Sequence, residues 1–375
     1  MKKIVINANF CLVYSWGTKY LTGVGRTTLE LIRALETRKN LPFKLALFCE
    51  RFNHDRLQRY HFKSPQYCLP LPLKVRKWSE SAKNYFPIVE TFTGADLYHI
   101  PQGLGGFFYG NKTVVTLHDA LAFEERKIRS EQEAFRRTAA RVRGILTCSN
   151  SSKQLLLKYL NVPEEKIVVA PWGYNSEIFK VLPTALIQEE LSRRFQIFHP
   201  YLFSIVSLRL ARKRASELIR QYLKCTKKGY PYDLVVVFQD ISPELETMIA
   251  AHPEGKRIKI LKGATDEELA ILYNGAICMV FPSLHEGFGL PILESMACGT
   301  PILTTNATSM PEIAENAGIY FESTEEEEIG NKLLQIAEGK FNLEYYSKLS
   351  LLQAKKFSWS RCAEITIDFY EKCLT

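Results

Sequence analysis

Short runs of β-branched and other apolar residues alternate along this chain with longer stretches whose apolar positions recur at helical spacing. Ile4–Asn7, Lys44–Phe48, Leu97–Ile100, Thr113–Leu117, Ile145–Cys148 and Ile167–Ala170 read as one series of strands. Tyr201–Ser207, Asp233–Phe238, Ile258–Leu261, Ala276–Phe281, Pro301–Thr304 and Gly318–Tyr320 read as a second. Helical periodicity lies between them, in Gly25–Glu36, Ser130–Arg143, Ser151–Leu160, Asp266–Tyr273 and Pro291–Cys298. Short buried strands alternating with helices predict parallel sheets covered on both faces. Because the pattern runs through both halves, the expected fold class is α/β with two doubly wound, Rossmann-like domains. The expected boundaries are a first domain at 1–172, a linker at 173–199 and a second domain at 200–355. A C-terminal helix at 356–375 is expected to pack back toward the first domain. Ligands of open α/β sheets bind beyond the carboxyl ends of the strands, so two such domains facing each other predict a cleft.

Charge changes this picture more than length does. The 375 residues carry 49 Lys and Arg against 40 Asp and Glu, a net charge of +9. Residues 1–175 hold 27 Lys and Arg against 14 Asp and Glu, whereas residues 176–375 hold 22 against 26. A basic first half suggests that it meets something anionic, such as nucleic acid, a membrane surface or a lipid phosphate. Lys74–Phe86 interleaves cations with aromatics, and Arg126, Lys127, Arg129, Arg136, Arg137, Arg141 and Arg143 add a second basic stretch. These read either as an anionic-membrane face or as solvated helix faces. No nucleic-acid-binding module accompanies them. The nine cysteines show no C-x-x-C spacing, which argues against a disulfide framework or zinc and for a reducing compartment. With no signal peptide and no apolar run near membrane-span length, the expected location is the cytoplasm, with peripheral membrane contact open.

The densest chemistry lies in 281–301, Phe-Pro-Ser-Leu-His-Glu-Gly-Phe-Gly-Leu-Pro-Ile-Leu-Glu-Ser-Met-Ala-Cys-Gly-Thr-Pro. A strand ends at Phe281, and a loop with Gly287 and Gly289 follows. Pro291 suits a first helical turn and Gly299 a position just past the helix end. Such a strand–loop–helix unit presents a helix N-terminus to a phosphate. Glu294 lies about one turn into the helix, and its carboxylate leans back toward the loop, where it suits a ribose diol. Glu286, in the loop, suits a sugar carried on that phosphate. Alternatively, Glu294 merely complements the helix dipole and Glu286 is a solvated loop residue.

His285-Glu-Gly-Phe-Gly-Leu-Pro-Ile-Leu-Glu294 resembles the E-x7-E motif of glycosyltransferase family 4, the retaining enzymes of GT-B fold. Leu261–Tyr273, Met310–Gly318 and Phe357–Ala363 resemble further segments of that family in the same order. The resemblance implies roles for particular residues. Lys213, with Arg212 alongside, would hold the donor diphosphate, with Arg214 standing where Asn or Gly is usual and Arg209 one residue off the position some relatives use. Glu286, Gly287, Phe288, Gly289, Leu290 and Glu294 would bind the donor. Thr22-Gly-Val-Gly-Arg26 resembles the family's glycine-rich loop, which places Gly25 near the donor and Gly23 near the acceptor. His118 and Asp119, after the strand Thr113–Leu117, resemble the family's strand-end His-Asp. His118 would sit near the transferred sugar, and Asp119 would cap the loop or touch the acceptor. Glu286, His118 and Lys213 are the expected catalytic residues. His99 stands at a strand end, and the segment Pro101–Gly106 that follows it is read as an acceptor-facing loop.

The implied activity is transfer of a sugar, with retention, from a nucleotide-diphosphate sugar to a glycan or lipid-phosphate-linked acceptor, as in bacterial polysaccharide or glycolipid assembly. The nucleotide sugar is then a substrate, and neither a cofactor nor a metal is expected. Two alternatives remain at this stage, a nucleotide-sugar 2-epimerase on the same fold and a non-catalytic nucleotide-sugar-binding subunit. An NAD-linked oxidoreductase lacks its glycine fingerprint here.

Overall fold

A computed structural model of the chain describes residues 1–12, 21–69, 88–102, 110–120, 129–206, 211–238, 241–322 and 325–375. The chain forms two compact units, Met1–Gly173 together with Ser358–Thr375, and Tyr174–Phe357.

The first unit is built on a seven-stranded sheet. Its strands are β1 (Lys3–Asn7), β2 (Lys44–Glu50), β3 (Gln66–Leu69), β4 (Leu97–Ile100), β5 (Thr113–Thr116), β6 (Gly144–Thr147) and β7 (Ile167–Val169). They lie in the order β3-β2-β1-β4-β5-β6-β7, and every pairing is parallel. Alternation along β1 sends Ile4 and Ile6 into one core, with Leu29, Ile32, Phe369 and Tyr370. Val5 enters the other, with Phe135, Ala139 and Leu156. The sheet is therefore covered on both faces. The one strand that the apolar pattern does not predict is β3, an edge strand of four residues between Pro65 and Pro70. Prolines cannot donate to a ladder, so their presence argues against a strand except at an edge.

The C-terminal helix Trp359–Leu374 packs into this first unit. Arg38 donates to the Ser360 carbonyl at 2.6 Å and to Glu364 at 2.8 Å. Arg143 donates to the Cys373 carbonyl at 3.0 Å, which places a cation at the helix C-terminus, where the dipole favours it. Arg136 similarly holds the Tyr159 carbonyl at 2.7 Å. Two cations of the expected basic surface thus serve the fold. Lys74–Phe86, Arg126 and Lys127 lie outside the described residues.

His99 precedes the loop Pro101–Gly106, of which residues 103–106 lie outside the described residues. It is fully buried, with Nδ1 2.6 Å from Tyr370 Oη and Nε2 2.8 Å from Thr116 Oγ1, so it ties the sheet to the C-terminal helix. Burial pushes its pKa down to about 3. An unfolded imidazole titrates near 6.5, so the unfolded chain takes up this proton first as pH falls. Stability from this site is therefore complete above about pH 6.5 and declines toward about pH 3. Thermal melts should show a falling midpoint between about pH 7 and pH 5.5, before carboxylates titrate. His99→Gln should flatten that slope, and an equal slope in the variant would count against this site as its source.

The second unit carries β8 (Tyr201–Val206), β9 (Asp233–Phe238), β10 (Ile258–Lys262), β11 (Cys278–Phe281), β12 (Ile302–Thr305) and β13 (Gly318–Phe321). Their order is β10-β9-β8-β11-β12-β13, again parallel throughout. The chain winds from β8 out to β10, then restarts at β11 and winds the other way. The point of reversal, between β8 and β11, is where a doubly wound sheet opens a crevice for ligand. Residues 173–199, expected as a linker, include the helix Thr184–Phe195, which belongs to this unit. Ile187, Leu191 and Phe195 are buried, and the approach is so close that a Cβ at Gly275 would lie 2.5 Å from Leu191. Asn274 holds the preceding segment, accepting from the Leu182 N–H at 2.9 Å and donating to the Lys180 carbonyl at 2.9 Å.

Candidate functional site

The crevice at the β8/β11 reversal is built from three loops of the second unit. After β8, a short turn at Ala211–Lys213 leads into the helix Ala215–Thr226, with Arg214 in the left-handed region at φ 50°. This turn is stapled to the loop after β11. The Leu284 N–H donates to the Arg212 carbonyl at 2.7 Å, and Arg212 Nη1 donates to the His285 carbonyl at 2.9 Å. Lys213 Nζ pairs with Glu286 Oε1 and lies 5.4 Å from the centre of the Phe281 ring. The two side chains are 15% and 14% exposed, so the pair is largely desolvated while its edge reaches solvent. Arg212 Nε is buried with no partner among the described residues. An unpaired buried donor is costly, and a bound anion would satisfy it.

The loop carrying Glu286 is fixed by hydroxyls. Thr305 Oγ1 donates to the Ser283 carbonyl at 2.7 Å, and Ser309 Oγ reaches the Glu286 and Phe288 carbonyls at 3.0 and 2.8 Å. The Glu286 N–H donates to Thr308 Oγ1 at 3.1 Å. Thr308 itself sits at φ 48°, unusual for a β-branched residue. Gly289, at φ 105°, caps the helix Leu290–Ala297, with Pro291 in its first turn. Gly299, at φ 78°, stands just past the helix end, as the sequence predicts.

Glu294 projects from that helix but is only 1% exposed, and Oε2 accepts from Tyr273 Oη at a long 3.5 Å. Tyr273 is fully buried against Phe203 and Phe179. The expected donor role of the Phe288 side chain needs correction. It is 1% exposed and packs edge-on against Phe357 at 5.9 Å, so only its backbone can face a ligand. Leu290 is also buried, and Gly287 lies buried beside Glu286. Arg209 falls outside the described residues.

In the first unit, Gly23 and Gly25 do not form an open loop. They make the first turn of the helix Gly23–Glu36, where Thr22 Oγ1 accepts from the Gly25 N–H at 3.3 Å. His118 follows β5, and Asp119 is half-buried beside it. The His118 carbonyl accepts from Ser152 Oγ at 3.1 Å. Its ring meets Trp172 edge-on at 5.1 Å. Both ring nitrogens are shielded from solvent, and no side chain among the described residues hydrogen-bonds to them. Burial pushes the His118 pKa down to about 4, with the nearby Pro101 carbonyl acting weakly in the other direction. The imidazole is therefore neutral near pH 7.

Residues 187–350 match the family described as glycosyl transferases group 1, and residues 21–178 match glycosyltransferase family 4. The chain belongs to glycosyltransferase family 4. It is 26% identical to O-antigen chain mannosyltransferase B of Escherichia coli, over 94% of this chain and 96% of that protein. Its fold matches a glycosyltransferase from Rickettsia africae with a TM-score of 0.74 at 16% identity, covering 100% of this chain and 99% of that one. The Anabaena protein HepE, in complex with UDP-glucose, also gives 0.74, at 17% identity, over 99% of this chain and all of that one. The fold is thus GT-B, and the enzyme is a glycosyltransferase rather than an epimerase.

In this family 4 glycosyltransferase, Lys213, Arg212 and Glu286 come together from two loops far apart in sequence. Glu294 lies deeper, reached through Tyr273. Thr305, Thr308, Ser309 and Tyr273 were not singled out from the sequence. Hydroxyls that hold loop carbonyls leave no periodic signal, although Thr308 and Ser309 directly precede the family-like segment that begins at Met310. Among the described residues, no helix is long and apolar enough to cross a membrane.

Proposed function

We propose that this glycosyltransferase moves a hexose, with retention, from a nucleotide-diphosphate sugar to a hydroxyl of a glycan or lipid-phosphate-linked acceptor. The observation that carries the reading is the Lys213–Glu286 pair beside Arg212, at the mouth of a doubly wound sheet. Departure of the nucleotide diphosphate puts negative charge on its leaving oxygen. Lys213, Arg212 and the N-terminus of Leu290–Ala297 would stabilise that charge, which is the kind of preorganised electrostatics that lowers a barrier. No metal or cofactor takes part in this reading, because the cation pair stands where a divalent ion would otherwise be needed. Glu286, oriented by Lys213, would bind hydroxyls of the donor sugar. Glu294 would take the ribose diol after Tyr273 yields its hydrogen bond. In the first unit, Gly25 would lie near the donor and Gly23 near the acceptor. Neutral His118 would sit beside the transferred sugar, and Asp119 would touch the acceptor. A phosphate oxygen of the leaving group would accept the acceptor's proton. The resemblance to an O-antigen mannosyltransferase favours mannose as the transferred hexose, while the likeness to HepE keeps glucose in the comparison. The basic first half supports a polyanionic acceptor or membrane face, with the enzyme working at the cytoplasmic side of the membrane.

A thermal-shift panel of GDP-mannose, UDP-glucose and ADP-glucose tests the donor. A cognate donor at about one hundred times its Kd adds roughly 2.7 kcal/mol to the folded state. If no nucleotide sugar raises the melting temperature, the reading falls. Glu294→Gln keeps the volume but loses the charge, so it should raise the donor KM about 10-fold with a smaller change in kcat. An unchanged KM would remove Glu294 from the ribose.

A further inference from the structure

The carboxyl edge of the first sheet holds a cavity of about 20 Å³, lined by the helix Gly23–Glu36, the ends of β5 and β6, Trp172 and the C-terminal helix. That is room for one water molecule. Thr28 and Thr147, in its wall, are 2% and 1% exposed, and neither Oγ1 has a partner among the described residues. His118 lines the same cavity, with one of its shielded nitrogens toward the Pro101 carbonyl and the other without a partner among the described residues. The neighbouring hydroxyls are already engaged. Thr27 Oγ1 donates to the Val24 carbonyl, Thr116 Oγ1 meets His99, and Thr366 Oγ1 donates to the Cys362 carbonyl. The wall atoms that still need a partner are therefore two hydroxyls and one imidazole, and they share one small space. An apolar cavity of this size would stay dry, but a polar one with three or four such groups is where buried water resides.

We propose that this cavity binds one ordered water bridging Thr28 Oγ1, Thr147 Oγ1 and one imidazole nitrogen of His118. Thr28 and Thr147 are then positioning residues for that ring. A neutral imidazole has one donor and one acceptor nitrogen, and the partner of one decides the role of the other. The Pro101 carbonyl, which can only accept, keeps the proton on the nitrogen that faces it, so the water donates to the other nitrogen, and Trp172 stands against the ring at 5.1 Å. The ring is thereby held in one orientation for its part in sugar transfer. That consequence rests on the His118 assignment made above, whereas the water itself does not.

The test combines a high-resolution crystal structure of the full chain with the imidazole ¹⁵N shifts of His118. The parent protein should show water density in the cavity and a single His118 tautomer. Thr28→Val and Thr147→Val should shift the ¹⁵N resonance of the unprotonated His118 nitrogen and lower kcat about 5-fold at unchanged donor KM, whereas Thr147→Ser should retain parent behaviour. Absence of water density, or ¹⁵N shifts unmoved in both valine variants, overturns the proposal. If the water and the shifts behave as expected but His118→Ala transfers sugar at the parent rate, the water site stands and the sugar contact of His118 falls.

Discussion

Lys213→Ala should lower kcat/KM by about 100- to 1000-fold, the loss typical of removing one preorganised group aimed at developing charge. The structure allows a second explanation for such a loss, since Lys213 also pairs with Glu286. Without the lysine, Glu286 would keep its place through backbone bonds to Thr308 and Ser309 but lose its ionic partner. The two explanations separate on the nucleoside diphosphate alone, which carries no sugar. If Lys213 holds the diphosphate, Lys213→Ala should weaken its binding at least 10-fold, about 1.4 kcal/mol, as a charge-assisted hydrogen bond warrants. Glu286→Gln should bind the diphosphate as the parent does while losing transfer. Equal diphosphate affinity in the parent and Lys213→Ala would confine the lysine to orienting Glu286. The stability cost of Lys213→Ala should be modest, because both side chains keep an edge in solvent and the pair is not fully buried.

That pair also shows how far the sequence could be read. The motif from His285 to Glu294 is contiguous, so its strand, glycine turn and helix are legible from local chemistry, and Gly289 and Gly299 occupy the left-handed positions their spacing implies. Lys213 was legible too, but only as a cation after a strand. Its meeting with Glu286 depends on β8 and β11 being neighbours, which is a property of winding order and not of either segment. Phe288 shows the opposite case. Its place inside the motif pointed to ligand, yet its side chain turns into the core because Phe357, distant in sequence, completes a pocket there. His99 follows the same rule. A histidine at a strand end looks functional until the C-terminal helix brings Tyr370 against it. Local pattern thus identifies elements and loop chemistry, while long-range packing decides which polar side chains are consumed by the fold.

Two glycines of the first unit should respond in opposite ways to alanine, and the contrast separates folding from ligand approach. At Gly173, an added Cβ would lie 2.1 Å from the Trp359 nitrogen and 2.4 Å from the Ser358 carbonyl carbon. Both are backbone atoms at the start of the C-terminal helix, so no side-chain rotation relieves the clash. That helix carries Tyr370 onto His99 and Phe369 against Gly144, where a Cβ would be 2.6 Å from its ring. Gly173→Ala should therefore cost about 3 kcal/mol or more, the upper range for overpacking, as read by denaturant unfolding. At Gly23, by contrast, an added Cβ meets nothing within 4 Å among the described residues, and the residue lies in the first turn of a helix capped by Thr22. Gly23→Ala should leave stability unchanged or raise it by up to about 1 kcal/mol through the unfolded state. Any loss of transfer activity in that variant then has no folding explanation. It would mean that an acceptor approaches the backbone at Gly23 closely enough to exclude a methyl group. Full activity in Gly23→Ala would show that this turn serves only to start the helix, and acceptor contacts would have to be sought at Asp119 and His118 instead.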